Sequence, residues 1–221
     1  MGCIYLDGGL EKEGIELLKS IPTSTSALYR LGQHFYEMET PPAQAESLVY
    51  FEKGAQLNDA NSLYWLGYVY HQGLCGKQPN PQKAVRLLNE AIQLGHKEAM
   101  YYLAVMYKSG DGVVASNQQA IELLNRATSE PDPCLDALFM LGSHYLNGDL
   151  GLNKNPKAAL RFFNAAARLG HVDATLNAVC SDWILATHQQ GIMYYSGIGT
   201  EINMEKAYYH YQNASLAVCD M

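Results

Sequence analysis

The stretch that decides the fold is LYWLGYVYHQG, residues 63–73. Gly67 is followed by Tyr70 three residues later and by Gly73 six later. The same frame returns as Ala104, Tyr107, Gly110, as Gly142, Tyr145, Gly148, and as Gly191, Tyr194, Gly197. Gly32, Phe35 and Met38 make a looser copy without the second glycine. A leucine precedes this anchor residue at Leu31, Leu66, Leu103 and Leu141. A small residue stands five before it at Ala27, Ser62, Ala99, Ala137 and Ala186.

A second frame follows each first one. KAVRLLNEA (83–91) matches QAIELLNRA (119–127), AALRFFNAA (158–166) and KAYYHYQNA (206–214), and ESLVYFEKG (46–54) is a looser copy. Small residues recur seven apart, as in Ala84/Ala91 and Ala159/Ala166. Spacings of three, four and seven belong to an α-helix, not a strand. Glycine, asparagine and proline separate the frames, with Pro81 and Pro156 near predicted helix starts, where proline is tolerated. Gly95 and Gly170 are placed to end second helices in the left-handed conformation, and Asn58 is a third candidate.

Each unit therefore reads as a hairpin of two helices. Gly32 to Gly67 is 35 residues, Gly67 to Ala104 is 37, and Ala104 to Gly142 is 38. A single hairpin cannot bury both faces, whereas stacked hairpins can. The expected fold is all-α, a solenoid of stacked antiparallel helix hairpins. Expected repeats are 25–59, 60–97, 98–134, 135–172 and 173–221, after a partial one at 1–24. The opening MGCIYLDGG suits a lipidation signal at two positions, Gly2 and Cys3, but residue six is Leu6, where myristoylation wants Ser or Thr. Set on the repeat, Gly2, Ile4, Tyr5 and Gly8 fall on Gly67, Val69, Tyr70 and Gly73. The opening is expected to be the back half of a first helix, with GIELLKSI (14–21) as its partner.

Composition narrows the function. The 221 residues hold 15 Lys+Arg and 22 Asp+Glu, for a net charge of −7. That acidic surplus argues against a nucleic-acid partner. No run of about 18 apolar residues occurs, so no membrane insertion is expected. A secretory leader is not recognised, so a cytoplasmic location is expected, or the secretory lumen if a leader is missing from this chain. The five cysteines, at 3, 75, 134, 180 and 219, lack C-x-x-C spacing and are expected to be reduced thiols. Sixteen tyrosines stand against 5 Phe and 2 Trp. Tyrosine suits surfaces that bind as well as cores.

The pattern L-G-x-x-Y-x-x-G, then K-A with paired leucines or aromatics and A-A, then L-G-H-x-[D/E]-A, resembles the Sel-one-like repeats, relatives of tetratricopeptide repeats. The resemblance covers nearly the whole chain. It implies a right-handed α-solenoid acting as a scaffold or adaptor, with proteins or peptides as partners and no shared chemistry or cofactor. Departures are Met38 in place of glycine, a short first loop, and TSEPDPCLDA (128–137) in place of the usual turn.

A larger departure lies between Gly142 and Gly191, which are 49 residues apart. Deleting residues 175–186 restores the frame. Twelve extra residues would turn a continuous helix by roughly three turns plus 120°. A separate helix or a kink is therefore expected there.

With the anchor at 0°, the leucine, the aromatic and the small residue fall between about −140° and 0°, the core stripe. Positions three before, one after and four after the anchor fall between about 40° and 100°. The family resemblance assigns this second stripe to a concave groove. Its occupants are Tyr29, Gln33 and Tyr36; Tyr64, Tyr68 and His71; Tyr101, Val105 and Lys108; Phe139, Ser143 and Leu146; and His188, Ile192 and Tyr195. The candidate partner-binding residues are Tyr29, Gln33, Tyr36, Tyr64, Tyr68, His71, Tyr101, Phe139 and Tyr195. Rigid aromatics of this kind serve as binding anchors, but the same rings could equally pack between adjacent hairpins.

Other motifs carry less. His96 and His171 occupy equivalent turns and read as structural caps. His34 and His144, two past the anchor, lack ligand partners at metal spacing, so no metal site is expected. GIGTE (197–201) has no following lysine and no preceding strand, so it is not a phosphate loop. The leading reading is a non-enzymatic adaptor with a tyrosine-rich groove, and end-to-end self-association is a second possibility. The alternative is a regulatory repeat module of a larger enzyme such as a protein kinase.

Overall fold

The computed structural model describes residues 11–21, 23–173 and 181–219, with side chains over 13–21, 23–169 and 185–215. Every regular element among them is helical. The helices are α1 (Glu11–Lys19), α2 (Thr25–Glu37), α3 (Pro41–Gln56), α4 (Ala60–Gln72), α5 (Pro81–Gln93), α6 (Lys97–Ser109), α7 (Asn117–Ala127), α8 (Leu135–Asn147), α9 (Pro156–Asp173), α10 (Ser181–Ser196) and α11 (Met204–Cys219). They form two compact units. The first holds residues 1–106 and 110–114, and the second holds 107–109 and 115–221. In the first, α2 pairs with α3 and α4 with α5, and α3 packs on α4. In the second, α8 pairs with α9 and α10 with α11, and α9 packs on α10.

The small residues of the two frames sit where helices touch. Ala27, Ser62, Ala99, Ala137 and Ala186 are all buried, as are Leu31, Leu66, Leu103 and Leu141. A methyl group added at Gly142 would stand 2.7 Å from the Phe163 ring, and one at Gly191 would stand 2.7 Å from the Tyr211 ring. At Gly32 it would collide with Phe51. The missing side chain is what admits a large second-helix side chain at that depth. At Gly67 the neighbour is Leu88, and an added methyl would stand 3.0 Å from its Cγ, farther than from the rings.

The aromatic three past the anchor closes its own hairpin. Phe35 stacks on Tyr50, Tyr145 on Phe162 and Tyr194 on His210, with interplanar angles of 10°, 9° and 2°. Lys83 Nζ lies 3.7 Å from the centre of the Tyr70 ring, a cation–π contact. The backbone carbonyl of the same aromatic clasps the loop. Asn80, Ser116, Asn155 and Asn203 donate their N–H groups to the carbonyls of Tyr70, Tyr107, Tyr145 and Tyr194. The side chains of these four residues then accept from the N–H three residues on and cap the second helix.

Gly73, Gly110 and Gly148 end α4, α6 and α8 in the left-handed conformation. Asn58 and Gly95 do the same after α3 and α5, with φ of 55° and 89°. Gly170 does not. It lies inside α9, which runs on to Asp173, so the turn expected at that glycine is absent. Six of the twelve residues that break the spacing, 181–186, lie within a described helix. Residues 181–186 are not a separate element but the front of α10, ahead of the frame that ends at Gly197. Residues 174–180, like the opening positions Gly2, Ile4, Tyr5 and Gly8, lie outside the described residues.

Candidate tyrosine cluster

Five of the stripe residues meet in the first unit. Tyr29 and Tyr36 project from α2 and pack against the cluster formed by Leu48, Phe51, Leu66 and Val69. Tyr64, Tyr68 and His71 stand on α4. Two residues that the stripe omitted join them, Trp65 and Tyr102, each two before its anchor. The Tyr36 and Trp65 rings are 5.1 Å apart. Tyr68 stands edge-on to Trp65 at 5.8 Å and to Tyr102 at 5.7 Å. Tyr64 stacks on His96 at 4.7 Å. Trp65 also lies flat against Phe51, 5.6 Å away, and so ties the rings to the core.

Hydrogen bonds set the tips of these rings. His71 Nδ1 lies 2.7 Å from the Tyr102 hydroxyl, and its Nε2 lies 2.7 Å from Asp111 Oδ2. Gln72 donates to the same Tyr102 oxygen at 2.9 Å. Burial pushes the hydroxyls of Tyr29, Tyr36 and Tyr102 above the ordinary tyrosine value. They stay protonated and neutral at physiological pH. The cluster thus presents apolar rings with fixed polar tips, edged by the carboxylate of Asp111.

The remaining candidates stand apart. Gln33 and Tyr101 are half-buried. Phe139, in the second unit, leans on Phe163 at 5.7 Å and joins that unit's core. Tyr195 is exposed on α10. Trp65 and Tyr102 were legible in principle. Two before the anchor is about 160°, and extending the stripe's edge from about 100° to there takes in both.

The histidines follow their environments. His96 Nδ1 accepts the Ala99 N–H at 3.1 Å and caps α6. Nδ1 therefore carries no proton, and the Glu98 carboxylate 3.3 Å away is a neighbour, not an ion-pair partner. Burial lowers the His96 pKa against the pull of Glu98 and Asp59. His171 lies in the last turn of α9. No cluster of three or more His, Cys, Asp or Glu side chains suited to a metal occurs among the described residues. Cys75 and Cys134 are not joined in a disulfide. No described helix is long and apolar enough to cross a membrane.

The Sel1 repeat model matches residues 25–59, 60–96, 97–132, 135–171 and 185–217, and the chain belongs to that family. The fold class is accordingly the α-solenoid of Sel1 repeat hairpins, and repeats of this family serve as protein-interaction modules. A solved Sel1 repeat protein from Oxalobacter formigenes superposes with a TM-score of 0.79 at 22% identity, covering 97% of this chain and 82% of that one. Chitin synthase regulatory factor 2 of Schizosaccharomyces pombe is 27% identical over 157 residues, which is 71% of this chain and 29% of the relative. Cytochrome c oxidase assembly factor 7A of Xenopus laevis is 36% identical over 78 residues, 35% of this chain and 34% of that protein. The chain thus matches about a third or less of the length of these two relatives.

Proposed function

We propose that the chain is a non-enzymatic adaptor that holds a segment of another protein against the tyrosine cluster of its first unit. The observation that carries this reading is the cluster's construction. Half-buried rings on successive hairpins are held by mutual packing and by hydrogen bonds at their tips, so a partner meets a surface already ordered. Rigid aromatics lose little entropy on binding and act as anchors. The relatives are named as regulatory and assembly factors, which accords with a holding role.

Affinity capture from the source cells tests it, followed by identification of the captured proteins. The comparison uses Tyr64→Phe/Tyr68→Phe, which keeps the rings, and Tyr68→Ser, which also removes the ring contacts to Trp65 and Tyr102, each with a melting curve. The expected result is a discrete set of partners that Tyr68→Ser loses while still folded at the capture temperature, its melt lowered by the lost ring contacts. An identical set from every variant would overturn the assignment to this cluster.

A second reading is favoured by the share of the relatives that the chain matches, under a third of chitin synthase regulatory factor 2. In this reading the repeats are the regulatory module of a longer protein, and the partner is an enzyme under its control.

A further inference from the structure

In the first unit the rings form a row that ends, on both sides, in an imidazole leading to a carboxylate. At one end Tyr64 stacks on His96, and Glu98 Oε2 lies 3.3 Å from His96 Nδ1. Tyr64 stands edge-on to Tyr102 at 6.2 Å, and Tyr68 flanks Tyr102 at 5.7 Å. At the other end the Tyr102 hydroxyl meets His71, whose Nε2 lies 2.7 Å from Asp111 Oδ2.

Neither imidazole cancels its carboxylate. His96 Nδ1 accepts the Ala99 N–H, so that nitrogen has no proton to offer Glu98. Gln72 Nε2 is a donor and lies 2.9 Å from His71 Nδ1, so Nδ1 accepts and the ring carries its proton at Nε2, toward Asp111. About half of each carboxylate side chain is exposed, 54% at Glu98 and 46% at Asp111. Two more carboxylates act on the same rings through their fields, Asp59 on Tyr29 and Glu39 on Tyr36. The cations nearby are Arg30, exposed beside Tyr29, and Lys97, which precedes Glu98. The edge of the ring row is therefore net negative.

The faces of tyrosine and tryptophan attract cations through the ring quadrupole. The chain makes such contacts inside its own hairpins, where Lys83 lies 3.7 Å from the Tyr70 ring centre and Lys206 lies 5.2 Å from that of Tyr194. Among the described residues, no lysine or arginine lies over Trp65, Tyr68 or Tyr102.

We propose that the segment held by the tyrosine cluster is cationic, with an arginine laid on the rings between Glu98 and Asp111. A planar guanidinium stacks on a ring and pairs with a carboxylate at the same time, which suits this alternation of rings and acids. An acidic segment would meet like charge at both ends of the row. This proposal rests on the reading of the cluster as a binding surface and adds the charge of what it binds.

Fluorescence anisotropy on the whole chain tests it, with a labelled peptide of alternating arginine and serine and its citrulline counterpart, which keeps the shape and removes the charge. The arginine peptide should bind, and added sodium chloride should weaken it. The citrulline peptide should bind at least about fivefold more weakly, and so should the arginine peptide to Glu98→Gln/Asp111→Asn, for the loss of two partly exposed ion pairs. Asparagine still accepts from His71 Nε2, and a melting curve checks that this variant is folded. Glu90→Gln/Glu122→Gln removes the same charge from exposed positions on α5 and α7 and should leave binding within about twofold. No binding of the arginine peptide overturns the proposal, as does equal binding of the citrulline peptide or equal weakening by the control pair. Cellular partners that Tyr68→Ser loses and Glu98→Gln/Asp111→Asn keeps would overturn the cationic segment while leaving the cluster as a binding surface. Partners that neither variant loses would overturn both.

Discussion

The Tyr102 hydroxyl and His71 Nδ1 lie 2.7 Å apart, one on α6 and the other on α4. The bond ties consecutive first helices together at their polar tips. Asp111, in the loop after α6, holds the other side of the imidazole at 2.7 Å. Tyr102→Phe keeps the ring and removes the bonds to His71 and Gln72. It should cost about 1 kcal/mol in urea unfolding, the net value of a typical hydrogen bond. Tyr102→Ala, which also strips ring contacts to Tyr64 and Tyr68, should cost clearly more. Equal losses for the two variants would assign the whole effect to the hydroxyl.

Gly142→Ala tests the size rule at the anchor. Its new methyl would stand 2.7 Å from Phe163 Cε1, and overpacking of this kind costs about 1–3 kcal/mol. A methyl at Gly67 would stand 3.0 Å from Leu88 Cγ, so a leucine at this second-helix position leaves more room than the Phe163 ring does. Adding Phe163→Leu to Gly142→Ala should therefore recover part of the loss. Two losses that simply add would contradict the steric account.

Acid should loosen the fold through its buried imidazoles. His144 sits where other repeats place Val69, Met106 and Met193, and neither ring nitrogen makes a hydrogen bond. The Asp149 carboxylate is 3.5 Å from Nδ1. Burial lowers the His144 pKa, Lys108 adds to that, and Asp149 opposes it. His210 is lowered by burial and by Lys206, and His96 by burial. Folded imidazoles thus hold protons less tightly than free ones, so the unfolded chain binds more protons below about pH 6.5. Stability is full above that value and falls as pH drops toward the lowered folded values. Melting temperatures at neutral pH and at pH near 5.5 should show the decline, and His144→Met should make it shallower. An unchanged slope in that variant would remove His144 from the account.

The loop glycines should differ by their surroundings. Gly112 has φ +71° and its missing methyl would stand 2.7 Å from the Pro81 backbone, whereas Gly76 has φ +73° and open space. Gly76→Ala should cost only the left-handed penalty of about 1–2 kcal/mol. Gly112→Ala adds a clash with the start of α5 and should melt several degrees lower than Gly76→Ala. Identical melts would mean that the loop moves aside freely.

Much of this protein could be read from the residues alone. Ala27, Ser62, Ala99, Ala137 and Ala186 recur because two helices cannot approach closely past a large side chain, and that requirement is local enough to leave a mark in the spacing. The hairpins, the capping asparagines and the left-handed Gly73, Gly110 and Gly148 follow from the same local rules. Gly170 misled because a glycine permits a helix to end without compelling it, and in α9 the helix continues.

Which rings touch was decided only by the tertiary structure. Tyr64 and Tyr195 belong to one stripe of the helical repeat, yet Tyr64 stacks on His96 while Tyr195 faces solvent. Periodicity assigns a direction to a side chain but says nothing of whether a neighbour stands in that direction. The neighbour comes from a residue some thirty positions away, as Tyr102 does for His71, and its reach depends on how consecutive hairpins pack.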